Sequence, residues 1–250
     1  MSFFRTLEEL SLNAWPATRI THYDGWVLRF SNGFTRRANS VNVLCPSRLA
    51  IPTKVDWCED QYTFAELPTV FKIFPDELTQ DLTEELDQRG YETEGEAHVM
   101  TLDLPDSYPS NLEITISPFL SEQWYADAVG FNRVVPQHHV ELRNIVERIQ
   151  PICGFSTLYH GKDTVAVGLA VVERDWVGLF DIVVSPEHRR KGFGRQIVQG
   201  MMHWGKENGA NHCYLQAFHE NSAAMALYQS LGFESQYRYH YRSKPLHKRN

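Results

Sequence analysis

Between Val177 and Asn208 the chain reads as a strand, a basic glycine-containing turn and a helix in succession. This run restricts the fold to those built around such a unit. Val177 to Val184 is apolar apart from Gly178 and Asp181, and Arg189-Arg190-Lys191-Gly192-Phe193-Gly194-Arg195 forms the turn. Gly194 to Asn208 then places Ile197, Val198, Met201 and Met202 on one helical face and stops at Gly209. A junction of this kind aims backbone N–H groups, the positive end of a helix dipole and basic side chains at an anion. Its spacing is Arg-x-x-Gly-x-Gly. A P-loop separates its glycines by four residues before Gly-Lys-Ser/Thr, and a dinucleotide turn needs Gly-x-Gly-x-x-Gly. A phosphate-bearing ligand gripped by main-chain amides near Gly192 and Gly194 is therefore expected, by a different motif.

The remaining composition narrows the class. A chain of 250 residues with 42% apolar content holds one large domain or two ordinary ones and has enough core to fold. Its formal net charge of −7 argues against wholesale nucleic-acid binding. The charge is uneven: 15 acidic residues but only Lys72 and Arg89 as bases lie between Asp56 and Asp106, whereas basic residues gather at 188–195 and after Arg238. Cys45, Cys58, Cys153 and Cys213 are scattered without a Cys-x-x-Cys pair, a pattern of free thiols rather than a disulfide framework or zinc site. His138-His139 lacks a third ligand at useful spacing, so no metal site is expected. The N-terminal segment turns acidic at once, unlike a secretory leader, and no stretch approaches a membrane span. A soluble, cytoplasmic chain is expected.

The coarse pattern is mixed α/β. The first half offers a helix over Thr6 to Trp15, strands at Trp26 to Phe30 and Val41 to Leu44, and a helix from Pro75 to Gly90 with Leu78, Leu82 and Leu86 aligned. A strand follows at Val99 to Leu104. Pro105 to Pro118, with three prolines and three serines, reads as a linker and sets expected domains of 1–117 and 118–250. The second half reads as two helices (Ser121 to Asn132, Pro136 to Ile149), three strands (Phe155 to Tyr159, Thr164 to Val172, Val177 to Val184), the helix after the turn, a strand at Cys213 to Phe218, a helix at Ser222 to Leu231, and one or two strands over Phe233 to Arg242.

Four stations in this half resemble the GCN5-related N-acetyltransferases. They are the strand ending in Ile182-Val183-Val184, the turn Arg189, Arg190, Lys191, Gly192, Phe193, Gly194 and Arg195, Asn221 at a helix start, and Tyr228 within Ala226-Leu227-Tyr228-Gln229-Ser230-Leu231-Gly232-Phe233. The resemblance implies that fold for the second half and acetyl-coenzyme A as co-substrate. It implies pairing of the strand backbone with the pantetheine arm, the diphosphate on the turn, and Tyr228 as the acid that protonates the departing thiolate. The implied reaction is direct transfer of acetyl to an amine of a small molecule or a peptide. No cysteine sits at a motif position to carry the acyl group.

The chain departs from the pattern at Gln216, five residues before Asn221, where some amine-acetylating members carry a glutamate base. Asp181 is the leading substitute, with Glu173 and His219 behind it; a buried carboxylate with a raised pKa suits proton removal from an ammonium. The missing glutamate keeps open a non-catalytic reading, a coenzyme A-sensing or scaffolding module. In the first half, Leu86 to Gly90-Tyr91 echoes Leu231-Gly232-Phe233, but no Arg-x-x-Gly-x-Gly turn occurs before residue 118. That half resembles a degenerate acetyltransferase repeat, the alternative being an unrelated α+β cap. Thr35 to Val41 resembles a segment of two-part bacterial acetyltransferases, and its Arg36 and Arg37 either bind a substrate carboxylate, shape a cleft, or are solvent-exposed at a strand edge.

Overall fold

Strands from both halves of the chain alternate in the middle of one sheet. The computed structural model describes residues 3–108 and 114–246. The first half runs α1 (Phe3–Ala14), β1 (Arg19–Tyr23), β2 (Trp26–Phe30), β3 (Val41–Val43), α2 (Ile51–Phe64), β4 (Thr69–Ile73), α3 (Gln80–Gln88) and β5 (Glu92–Asp103). The second runs β6 (Ile114–Ser117), α4 (Glu122–Asn132), α5 (His139–Val146), β7 (Ile152–His160), β8 (Asp163–Glu173), β9 (Trp176–Val184), α6 (Phe193–Glu207), β10 (His212–Phe218), α7 (Ser222–Ser230) and β11 (Glu234–Lys244). All eleven strands form one sheet, ordered β1-β2-β3-β4-β11-β5-β10-β9-β8-β7-β6.

The order records an exchange. β5, the last strand of the first half, lies antiparallel between β10 and β11; β11, the last strand of the second, lies antiparallel between β4 and β5. Each half therefore completes its sheet with the other's final strand. Both strands are launched by the same helix stop. After α3, Gly90 has φ 74° and Tyr91 N–H donates to Leu86 O at 3.0 Å; after α7, Gly232 has φ 96° and Phe233 N–H donates to Tyr228 O at 3.0 Å.

The central strand β8 reads as a continuous apolar run because both its faces are covered. Ala166 and Ala170 pack toward α6 with Ile197 and Met201, while Val167 and Leu169 face Trp124 and Ala128 of α4. The second of these layers continues into the first half through Leu7, Leu10, Phe74 and Val99. Within it, the Glu8 carboxylate accepts from Lys72 Nζ (2.5 Å) and Tyr237 Oη (2.7 Å), all three groups buried. Removing one member of such a buried pair leaves the other charge without compensation. Glu8→Ala is accordingly expected to lower unfolding free energy by ~3–5 kcal/mol, read from urea denaturation; a loss under 1 kcal/mol would show that Lys72 relaxes to water.

Several elements differ from the expectation. The long segment between β3 and β4 holds α2, which buries Lys54 beside Val55, Cys58 and Tyr62, and so lacks a clean apolar stripe. β1, β4 and β6 were also unexpected. β6 lies inside the expected linker and pairs with β7, while residues 109–113 of that linker fall outside the described residues. The final segment is one strand, with register shifts near Tyr237 and Tyr241. The end of the basic tail, 247–250, also falls outside the described residues.

Candidate active site

β9 and β10 run parallel and paired from Trp176 opposite His212 to Leu179 opposite Leu215, then part, although β9 continues to Val184 and β10 to Phe218. The cause is local. Asp181 adopts φ 47°, and the β8–β9 register jumps from Leu169–Phe180 to Val167–Val183, so that one more residue is used on β9 than on β8. Such a bulge bends its strand. Beyond Leu179 the β9 edge facing β10 has no strand partner among the described residues, and a cleft of about 200 Å³ opens there between Asp181, Ile182, Gln216, Asn221 and Tyr228.

The turn at the end of β9 has the form its sequence requires. Arg190 (φ 63°) and Gly192 (φ 87°) are left-handed, and Gly192 is the N-cap of α6 with no side chain capping the helix. The amides at this end are consequently open to an outside acceptor. Gly192 is needed for its backbone angle, Gly194 for closeness, since a Cβ there would stand 3.2 Å from Leu227 of α7. Arg189, Arg190 and Lys191 are exposed, and neither they nor Arg195 form an ion pair among the described residues. Arg195 instead donates to Ser230 Oγ at 2.7 Å. Phe193 is buried, with its ring 5.3 Å from that of His160, so only its main chain can face a ligand at this turn. Val183 likewise points into the core, while Ile182 and Val184 are half-buried.

Asn221 caps α7, its Oδ1 accepting from Ala224 N–H at 3.1 Å, and also lines the cleft. Tyr228 follows on the inner face of α7. Its ring packs edge-on to Phe233 at 5.9 Å, and the residue lines the cleft. Burial pushes the phenol up to about 12, so it stays protonated at neutral pH.

On the cleft wall, the Asp181 carboxylate lies 3.8 Å from the Arg37 guanidinium. The side chain retains 18% exposure through the cleft mouth, yet the surrounding protein desolvates it and raises its pKa, an effect that Arg37 partly opposes. Arg37 arrives from the first half. Its guanidinium rests 4.7 Å from the Trp15 ring centre, and its carbonyl accepts from buried Arg29 at 2.5 Å. Arg36, by contrast, turns away to pair with Glu94 at 2.5 Å. Gln216 is locked in place: its Oε1 accepts from Tyr239 at 3.0 Å and its Nε2 donates to Ser11 Oγ at 2.8 Å. Glu173 sits at the far end of β8 and accepts from Asn13 at 3.0 Å, away from the cleft, and His219 contacts His98. Of the two arginines that the sequence offered for a cleft, Arg37 lines this one and Arg36 does not; Ser11 and Tyr239 carried no sequence signal for it.

A family model described as "Probable histone acetyltransferase Rv0428c C-terminal" matches residues 1–242. Over 98% of its length the chain is also 30% identical to the whole of the "Uncharacterized N-acetyltransferase YobR" of Bacillus subtilis. The chain belongs to the GCN5-related N-acetyltransferase superfamily. It is an acetyltransferase. Among solved structures, a GCN5-related N-acetyltransferase from Kribbella flavida superposes with a TM-score of 0.71 over 98% of this chain and 96% of its own, at 14% identity. A tandem acetyltransferase protein from the clavulanic acid biosynthesis pathway gives 0.64 over 84% of this chain and 76% of its own, at 10% identity. These two likenesses concern the fold. No helix among the described residues is long and apolar enough to cross a membrane.

Proposed function

We propose that this acetyltransferase takes its acetyl group from acetyl-coenzyme A and delivers it to a primary amine of a small molecule or peptide by direct attack. One observation carries the reading: β9 parts from β10 beside the cleft that Tyr228 lines, and the same strand leads to an uncapped helix start flanked by basic side chains that form no ion pair among the described residues. The residues suit the donor. Amides at Gly192, Phe193 and Gly194 are placed for a diphosphate, with Arg189, Arg190, Lys191 and Arg195 adding charge. The free edge of β9 from Asp181 through Ile182, Val183 and Val184 offers backbone pairing to an extended amide-bearing arm, as a sheet edge does for a peptide. Asn221 closes the other side. When bound, the thioester supplies an activated carbonyl carbon and a sulfur leaving group.

Asp181 removes one proton from the acceptor ammonium, leaving a neutral nitrogen whose lone pair forms the new C–N bond. Main-chain N–H groups at the bulge stabilise the oxygen that gains charge. Once bonded to carbon the nitrogen is positively charged and loses its second proton to solvent; as the C–S bond breaks, Tyr228 passes its proton to the sulfur and recovers one from solvent, and Asp181 releases the first amine proton. Arg37 faces Asp181 and limits how far the carboxylate's pKa rises. Gln216, which has no proton to take up, holds Tyr239 and Ser11 in register.

Asp181→Asn keeps the left-handed backbone, which asparagine tolerates. At neutral pH it is expected to slow transfer ~10²-fold. The gap should close as pH approaches the acceptor's own pKa, because neutral amine then arrives from solution. Stability should move the other way. A carboxyl whose folded pKa is raised binds its proton more tightly when folded, so stability falls as pH rises from the ordinary carboxylate pKa through the folded value. Asn removes that loss: Tm should rise at neutral pH and stay unchanged below the ordinary carboxylate range. A pH-independent defect would exclude Asp181 as the base. The donor itself is tested by calorimetry with coenzyme A and by radiolabelled acetyl transfer across an amine panel; absence of binding would remove the reading altogether.

The first half, through β5, we read as a repeat of the second, from β6 onward, that has lost its ligand site; with β6 paired to β7, we place the boundary ahead of β6 rather than between 1–117 and 118–250. The mutual strand exchange and the paired helix stops support this. So does the entrance to α2, which corresponds in chain order to that of α6. There the Asp24 carboxylate accepts from Arg48 N–H (2.9 Å) and Leu49 N–H (2.8 Å), while Lys54 Nζ donates to Asp24 O at 2.6 Å. A carboxylate of the chain itself thus ties down the loop amides just ahead of Ala50, the N-cap of α2, whereas among the described residues no carboxylate does so in the turn ahead of α6.

A further inference from the structure

Outside the cleft, three donor side chains converge where the two halves meet. Glu96 and His98 are two apart on β5 and so share one face of the strand. β5 pairs with β10 with Ala97 opposite Phe218, which brings the first residue beyond β10, His219, alongside them. His219 is pinned there by its own backbone, its N–H donating to Glu96 O at 2.9 Å. One ligand atom from each of Glu96, His98 and His219 lies within 4.8 Å of the other two.

We propose that Glu96, His98 and His219 form a binding site for a divalent first-row transition ion, with zinc as the reference case. His98 Nε2 and His219 Nδ1 stand 3.1 Å apart. Two nitrogens on a tetrahedral zinc with bonds of ~2.0–2.1 Å are separated by about 3.3–3.4 Å, so small ring movements admit the ion. The other ring nitrogen of His98 contacts Ser235 Oγ at 2.8 Å; as an Nδ1–H donor it leaves the Nε2 lone pair free, which is how outer partners orient metal-binding imidazoles. The two rings already lie nearly parallel, 19° apart, with centroids at 5.4 Å. Two imidazoles and one carboxylate favour zinc, nickel or copper over magnesium or calcium.

One group competes. Glu96 Oε1 accepts from Arg238 Nη1 at 2.8 Å, but both side chains are about half exposed, and an exposed ion pair of this sort is weakly held. The ion would take the place of that contact and of the imidazole–imidazole hydrogen bond, keeping its fourth position toward solvent. It would also tie β5 of the first half to the turn that leads, two residues later, to Asn221. Ala97, between Glu96 and His98, and Phe218, next to His219, line the cleft. Ion binding itself does not depend on the acetyl-transfer reading.

The test uses untagged full-length protein stripped with chelator and then titrated with zinc chloride by calorimetry, with bound metal counted by elemental analysis after dialysis. One ion per chain is expected. His98→Ala and His219→Ala should each weaken binding at least tenfold, and Arg238→Gln should tighten it by removing the competing cation. Cobalt(II) should give the intense visible bands of a four-coordinate site, lost in the His98→Ala/His219→Ala double variant. Both histidines lie at the surface or near it, and thermal melts will show that the variants fold. No stoichiometric zinc binding, or the same affinity in the double variant, overturns the proposal.

Discussion

Tyr228→Phe should reduce acetyl transfer by ~10²–10⁴-fold while coenzyme A affinity, measured by calorimetry, changes little. The substitution removes only an oxygen. The ring keeps its edge-on contact with Phe233, and the phenol has no hydrogen-bond partner among the described residues for its loss to strand. What disappears is the proton that the departing sulfur needs. Because burial pushes the phenol up to about 12, it is protonated throughout a normal assay range, and its removal should lower the whole pH profile without changing its shape. That distinguishes it from Asp181→Asn, whose defect should shrink as pH rises. Tyr239→Phe is the matching control. It is another buried tyrosine at the same cleft, but its hydroxyl is spent on Gln216 at 3.0 Å. If Tyr228→Phe transfers acetyl at the normal rate, the sulfur receives its proton from elsewhere, and Tyr228 is only a wall of the cleft.

What could be read from the residues was what neighbouring residues determine. The turn from Arg189 to Arg195 is legible because a glycine forced to φ 87° and an uncapped helix start leave their marks within seven positions. The stops at Gly90 and Gly232 are legible for the same reason. α2 escaped because it spends a buried position on Lys54, whose ammonium rests 3.9 Å from the Trp26 ring centre and donates to Asp24 O, contacts made by residues far back in the chain. β6 escaped because four residues in a proline-rich stretch give no periodic signal. In the cleft, Asp181, Asn221 and Tyr228 announce themselves, but Arg37 as the partner of Asp181 does not. That pairing depends on α1 and the β2–β3 connection lying against β9, with Arg29 fixing the Arg37 carbonyl from below. The strand exchange is the least legible feature of all. β5 and β11 each look like an ordinary final strand, and alternation along a strand says nothing about which neighbours it will have.

The exchange makes the two halves inseparable. A fragment covering 118–250 should fail to fold as a soluble monomer, although it contains every residue assigned to the cleft except Arg37 and Ala97. Without β5, β10 keeps only its short pairing with β9, from His212 to Leu215, and exposes the edge that β5 covers along seven residues from His212 to Phe218. β11 loses its neighbours on both sides, β4 and β5. Val99 and Met100 of β5 are completely buried, and each such side chain returned to water costs ~1.5–3 kcal/mol. Together with the lost ladder, the missing Leu7 and Leu10 of α1 and the uncovered Tyr237 and Tyr239, this exceeds the ~5–15 kcal/mol by which a domain is usually stable. The bare edge of β10 is also a template for aggregation. Supplying 1–110 and 111–250 together as two chains should restore a soluble complex, a single cooperative melt and acetyl transfer, because only the connection has been cut and each strand still finds its place. A soluble 118–250 fragment with a cooperative melt and normal turnover would mean that β10 and β11 can close on each other, as a plain single-unit sheet would, and that β5 merely intrudes between them.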